Sequence, residues 1–330
     1  MDDNRSSFKL GRREILKSAG AMMATAAVNP TLLSATPSEK TKNRRIIFRA
    51  DDVGYTPVYN IGIFRCVDEG VVTHIELMLD SMGAVDAMEK LRERPWLSVG
   101  WHDHWFGSPV TDPKHIPSLL DDTGRFRFRY RNGPEDPTAY RGVKYDEALI
   151  ECRAQIERCI KVMGKAPDIT WLQKGQNVVE EARQAACDEY GIAYDTGTKE
   201  SPQSGKVTPV EPRFADCDVF APVMSGMEKI KRSGGDYLEY FKQDPDHLAD
   251  HKAPIVVFHP GFMDVYMLAD NTGHILDPLG KFYENRFLCS QGLKQWIFDN
   301  KIELINHRDA IYGTRDYQNH LKESNSPLAV

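Results

Sequence analysis

An α/β fold with parallel strands, its chemistry gathered at the C-terminal strand ends, is what this sequence predicts from three observations. Short apolar runs alternate with amphipathic stretches through most of the chain, the mark of repeated strand–helix units. Two of those runs, residues 45–50 (RIIFRA) and 254–259 (PIVVFH), read as buried strands. Three runs end in side chains that bind metals or move protons: Asp51-Asp52, then His102-Asp103-His104, then His259. In a parallel sheet or barrel such ends share one edge.

The elements follow in order. Residues 11–17 (GRREILK) carry a twin arginine, followed by a mild apolar stretch over 19–28, Pro30 and the small pair Ser34-Ala35. That layout is a twin-arginine export signal, so 1–40 are expected to be signal peptide and linker. The apolar segment, about ten residues, falls short of the roughly twenty that span a bilayer. The expected address is the periplasm, or outside the membrane of a single-membrane cell. Residues 41–330 read as one domain.

Strands are expected at 46–50, 71–79, 97–102, 168–173, 192–195, 254–259 and 302–305. Helices are expected at 58–69, stopped by Gly70, and at 84–94, stopped by Pro95. Further helices are expected at 147–163, stopped by Gly164, and at 178–190 and 285–300. Residues 196–235 are irregular, and two long loops, 103–144 and 260–284, are placed to shape specificity.

Composition narrows the partners. Lys and Arg number 42 against 48 Asp and Glu, with no basic stripe, which argues against nucleic acid. No apolar run after the leader is long enough for a membrane helix, and a homodimer is compatible with the sequence. The six cysteines (66, 152, 159, 187, 217 and 289) form no CxxC pair and read as mostly buried thiols. Disulfides are open to them but not required by the fold.

Adjacent carboxylates on an extended strand point to opposite faces, so Asp51 and Asp52 are expected to do different work. One can hold a metal while the other handles a proton; a helix cap or turn is the plainer reading of Asp-Asp before Val53-Gly54. Two histidine-bearing strand ends beside a double carboxylate point to a divalent metal with an open position for water.

These residues resemble the YdjC-like (ChbG/HpnK) carbohydrate deacetylases. Residues 50–54 (ADDVG) match that family's ADDFG, Asn60-Ile61-Gly62-Ile63 its NxGI, and 70–73 with Leu77-Met78 its GxxT…LM strand. Residues 100–104 (GWHDH) stand where it has GLHLT, and His259-Pro260-Gly261 matches its HPG. The resemblance implies a deformed (β/α) barrel and removal of N-acetyl groups from amino sugars with zinc or magnesium as cofactor. It makes Asp51 the general base, Asp52 and His102 metal ligands, and His259 the acid that protonates the leaving amine.

One stretch departs from that family. Its histidine-rich DSHHHVH is replaced here by residues 169–177 (ITWLQKGQN), which hold no histidine. His104, two residues beyond His102, is the candidate third ligand, with a sugar hydrogen bond or a loop contact the equal alternative. A non-catalytic sugar-binding relative with a degraded metal site is the second functional reading. Trp101 and Trp105 are candidate sugar-stacking rings, with core or loop packing the commoner reading of aromatics near strand ends. Arg49 is either a substrate contact, a partner that keeps Asp51 ionised, or a plain strand-surface arginine. Glu76 is a candidate substrate contact, and His74 and His307 read as structural.

Overall fold

The computed structural model describes residues 44–102, 105, 107–128, 140–173, 177–197, 207–208, 236–244, 248–250, 253–269 and 278–330. All of them belong to the single compact unit Lys42–Val330. His104, Asp103 and the proposed export signal lie outside the described residues.

The elements run β1 (Arg45–Val53), α1 (Pro57–Asp68), β2 (His74–Met78), α2 (Ala84–Arg92) and β3 (Ser98–His102). After a long connection come α3 (Tyr145–Met163), β4 (Ile169–Gln173), α4 (Val178–Tyr190), β5 (Ala193–Gly197) and β6 (Val207–Thr208). Next are α5 (Tyr237–Gln243), β7 (Ile255–Phe258), α6 (Val265–Ala269), α7 (Pro278–Leu288) and α8 (Gln291–Asp299). The chain closes with β8 (Glu303–Leu304), α9 (His307–Tyr312) and α10 (Asp316–Glu323).

The strands lie in the order β6-β5-β4-β3-β2-β1-β7, with β8 also paired to β1. Every pairing is parallel except the short β5–β6 contact. This parallel sheet with helices following its strands is the α/β architecture of a deformed (β/α) barrel, in which β1 pairs with β2, β7 and β8. From Ile46 onward every residue of β1 is buried, as is all of β2, which is why both read as apolar runs. In α3 the buried positions Ala148, Cys152, Ile156, Cys159 and Met163 recur every three or four residues and form one stripe. Gly164 then ends the helix in the left-handed conformation.

One expected helix is in fact two. The apolar period over 285–300 continues across a break, because the Ser290 hydroxyl accepts the Leu293 N–H at 3.2 Å and starts α8 afresh. The preceding helix, α7, begins at Pro278, within the stretch expected to be loop. Helices α5, α6, α9 and α10 also lie where none is expected, and β1 continues past Ala50 to Val53 and carries both aspartates within it.

Candidate active site

The register of β1 against β2 explains how the two aspartates are aimed. Ala50 pairs with Ile75 and Val53 with Leu77, so Asp51 and Asp52 together face the single residue Glu76. Such a bulge bends the strand and redirects its side chains. Asp52 adopts φ 63°, the left-handed region, at a cost of about 1–2 kcal/mol for a residue with a β-carbon. The simple alternation expected of the pair therefore fails. Both carboxylates reach the same imidazole: His102 Nε2 lies 3.3 Å from Asp52 Oδ1 and 3.9 Å from Asp51 Oδ2.

The turn after the bulge is held by Asn60. Its Oδ1 accepts the Gly54 N–H at 2.7 Å, and its amide donates to the Gly83 carbonyl and the Asp86 carboxylate. Gly62, two residues further along α1, lets the chain carrying His259 approach. A β-carbon there would run into Phe262 N and the Gly261 carbonyl carbon. The Asn285 side chain donates to both the Gly62 and Pro260 carbonyls at 2.7 Å, sewing that chain to α1. Since Ala50 pairs with Phe258, His259 leaves β7 beside the bulge, and its own N–H donates to Glu284 Oε2 at 2.5 Å.

The electrostatics follow from burial and crowding. Burial opposes the charge of Asp52, but the hydrogen bond from His102 and the positive charges of His259 and Lys281 hold its carboxyl well below the usual range. Burial likewise opposes the charge on His102, yet the Asp52 bond and the two carboxylates raise it to about 9. Lys281 stands 3.6 Å from Asp52 Oδ2 and donates to the Tyr59 hydroxyl at 3.2 Å. Burial first, then the nearby Asp52 and Glu284 charges, push the Tyr59 phenol well up.

Beneath the two aspartates is a second, buried polar cluster. Arg49 grips Asp51 with both arms, Nε to Oδ1 at 2.6 Å and Nη2 to Oδ2 at 2.8 Å. At 5% exposure it is not a surface residue, and its guanidinium is engaged by Asp51. Its guanidinium covers the Trp171 ring at 5.3 Å, and its Nε is 3.8 Å from Glu76 Oε1. Glu76 is fully buried, bonded to His74 at 2.8 Å and to the Trp171 indole at 2.9 Å, so it is an internal charge rather than a substrate contact. Gly100 leaves it room, since a β-carbon there would occupy the carboxylate's position. His74 and His307 are structural, as expected. Burial holds both well below the usual histidine range, helped by Arg49 at His74 and by His74 at His307.

The candidate sugar rings are corrected by packing. Trp101, next to His102 on an extended strand, points to the other face, where its indole donates to Gln155 and Arg183 covers its ring at 4.9 Å. Trp105 is buried against the rings of Phe126 and Phe128, so it anchors the long loop. Lys281, Tyr59 and Glu284 were missed in sequence. A signal existed, because Lys281, Glu284 and Asn285 lie at helical spacing and make one polar stripe, which is buried in α7.

Asp52 and His102 present one oxygen and one nitrogen to a common point, a donor pair that fits a divalent cation of zinc or magnesium type. Among the described residues no group of three His, Cys, Asp or Glu side chains is arranged to hold a metal ion. The expected third donor, His104, lies outside them, as does the side chain of Gln173. No helix among the described residues is long and apolar enough to cross a membrane.

Known proteins share this sequence pattern and this fold. A family model described as YdjC-like protein matches residues 45–299. A carbohydrate deacetylase of Listeria monocytogenes is 26% identical over 269 residues, covering 80% of this chain and 99% of that protein. A carbohydrate deacetylase of Brevibacillus brevis is 27% identical over 273 residues, covering 79% of this chain and 97% of that protein. A solved structure from Enterococcus faecalis, of a protein assigned by name to cellobiose-phosphate cleavage, superposes with a TM-score of 0.58. It is 21% identical and covers 82% of this chain and 99% of its own, a likeness of fold.

Proposed function

The chain belongs to the YdjC-like family, and on that premise we propose that it is a metal-dependent carbohydrate deacetylase that removes N-acetyl groups from amino sugars. The observation that carries this reading is the bulge at Asp51-Asp52, which brings two carboxylates to His102 beside the end of β7. A strained backbone that gathers like charges costs stability and is retained where chemistry needs it. The curated relatives carry the name carbohydrate deacetylase, which supports the substrate class.

Asp52 and His102 would hold the cation, with His104 as the proposed third ligand. Such an ion, when bound, supplies Lewis-acid polarisation and a more acidic water. The protein's own groups do the rest. Asp51 accepts the proton of the attacking water; each of its oxygens keeps a lone pair beyond the one that Arg49 occupies. Arg49, clamped between Asp51 and the Trp171 ring, is the positioning residue for that base. Attack at the acetyl carbonyl breaks the C–N bond, and His259 gives the departing nitrogen its proton. Lys281 offsets the carboxylate charge that Arg49 does not reach. Acetate and a free amino sugar leave. We further propose that residues 1–40 export the protein by the twin-arginine route to the periplasm or beyond.

The test is acetate release from N-acetylglucosamine oligomers, with and without a chelator. Acetate and free amine in equal amounts, lost on chelation and restored by zinc or magnesium, is the expected result. Sugar binding with no acetate release under any metal would favour the non-catalytic sugar-binding relative.

A further inference from the structure

Cys66 in α1 and Cys289, one residue past α7, face each other across the seam that assembles the candidate site. Their sulfurs share a hydrogen bond at 3.7 Å although 223 residues separate them. Cys66 is buried and Cys289 partly exposed, whereas Cys152, Cys159 and Cys187 are all buried. Cys217 lies outside the described residues.

The backbones that carry the two thiols are held close. A β-carbon on Gly70 would meet both the Cys66 and Leu288 carbonyl oxygens, so the ends of α1 and α7 approach without side-chain spacing. Arg65 Nη1 donates to Asn285 Oδ1 at 3.3 Å, and Lys294 Nζ donates to the Glu69 carbonyl at 2.5 Å. These contacts fix where the sulfurs sit. From 3.7 Å the sulfurs have only to close to the ~2 Å of an S–S bond.

The two thiols differ in acidity. The bond with Cys289 and then burial push the Cys66 thiol well up. The same bond lowers Cys289, with burial opposing and Arg65 assisting. Cys289, partly exposed where Cys66 is buried, is the thiol an external disulfide reaches first.

We propose that Cys66 and Cys289 are a covalent modification site, closing to a disulfide that ties α1 to α7 when the protein meets a small-molecule disulfide. The step balances. The Cys289 thiolate attacks one sulfur of the oxidant, whose S–S bond breaks and whose other half leaves as a thiolate and takes up a proton. Cys66 then loses its proton and attacks Cys289 Sγ, expelling the second half as a thiol. Two protein thiols are oxidised and one external disulfide is reduced. The bond would lock the helices that carry Tyr59, Lys281, Glu284 and Asn285. It needs no particular substrate, so it stands apart from the deacetylase reading.

The experiment oxidises the purified protein with glutathione disulfide, alkylates the remaining thiols and maps tryptic peptides without reduction. Trypsin cuts after Arg65, Lys90, Arg286 and Lys294, leaving the two cysteines on peptides 66–90 and 287–294. The expected product is those two peptides joined, absent from Cys289→Ser. The oxidised protein should unfold about 3–7 °C higher than the reduced one, a shift that dithiothreitol erases. Alkylation of both thiols, glutathione retained on Cys289, or Cys289 joined to Cys217 would each overturn the proposal. The mapping does not read turnover, so its failure and that of the deacetylase assay are separate results.

Discussion

Two buried aspartates, Asp52 in β1 and Asp309 in α9, differ in what surrounds them, and the difference separates a carboxylate kept for chemistry from one kept for folding. Asp309 accepts the N–H groups of Asn306, Asp316 and Tyr317 at 3.2, 2.8 and 3.3 Å, and the Thr314 hydroxyl at 2.7 Å. With Asn306 it forms a capping box that starts α9. Its partners are mainly backbone and cannot leave. Asp52 instead sits on strained backbone and is balanced by the side chains of His102 and Lys281. Those partners can turn toward a ligand. Strain and exchangeable partners mark the working group; a relaxed backbone with fixed donors marks the structural one.

The strongest test of this contrast is Asp51→Asn. It should lower acetate release by at least ~100-fold, in keeping with loss of a general base, while circular dichroism shows the fold retained and the unfolding midpoint falls, because the buried Arg49 loses its ionic partner. Full activity in that variant would remove Asp51 from the mechanism. Asp309→Ala should cost stability alone. Three buried N–H groups and a hydroxyl lose their acceptor, for a loss of about 2–4 kcal/mol in denaturant titration. Turnover per folded molecule should be unchanged at low temperature.

Asp52→Asn sharpens the comparison. Asparagine also tolerates the left-handed region but lacks the charge that His102 and Lys281 stabilise, so stability should fall modestly while calorimetry shows weakened zinc or magnesium binding. Unchanged zinc and magnesium binding would remove Asp52 from the cation site. The smallest expected effect concerns Asp80, whose carboxylate accepts the Gly107 N–H at 2.8 Å near the start of the loop after β3. Burial raises its pKa to about 7, the Gly107 bond only partly opposing. The folded state then binds the extra proton between about pH 4 and 7. Asp80's contribution to stability is therefore greatest below that window, falls as pH rises through it and is level above. Asp80→Asn should flatten that part of the stability–pH curve.

Much of the site was readable because its residues stand at strand ends in runs that burial forces to be apolar. RIIFRA before Asp51-Asp52 and PIVVFH ending in His259 are such runs, and their parallel pairing through β1 brings the ends together. Arg49 was legible only as a set of alternatives, since nothing local says whether a strand arginine faces water or the interior. Trp101 was misplaced for a related reason. Its ring suits a sugar, but alternation on β3 sends it to the helix side once His102 faces the site. Lys281 and Glu284 fell in a stretch taken for loop.

The sequence by itself determined the strand–helix alternation, the acid and imidazole chemistry at strand ends and the family resemblance, because each depends on local pattern and short spacing. Only the tertiary structure decided that Asp51 and Asp52 face one histidine. That outcome depends on two residues of β1 opposing one of β2, a register no single strand encodes. Tertiary packing alone also brought Lys281 to Asp52 and Cys289 to Cys66, across more than 200 residues of chain. Contacts so distant in sequence leave no periodic trace, and are set by which helix faces the sheet can cover.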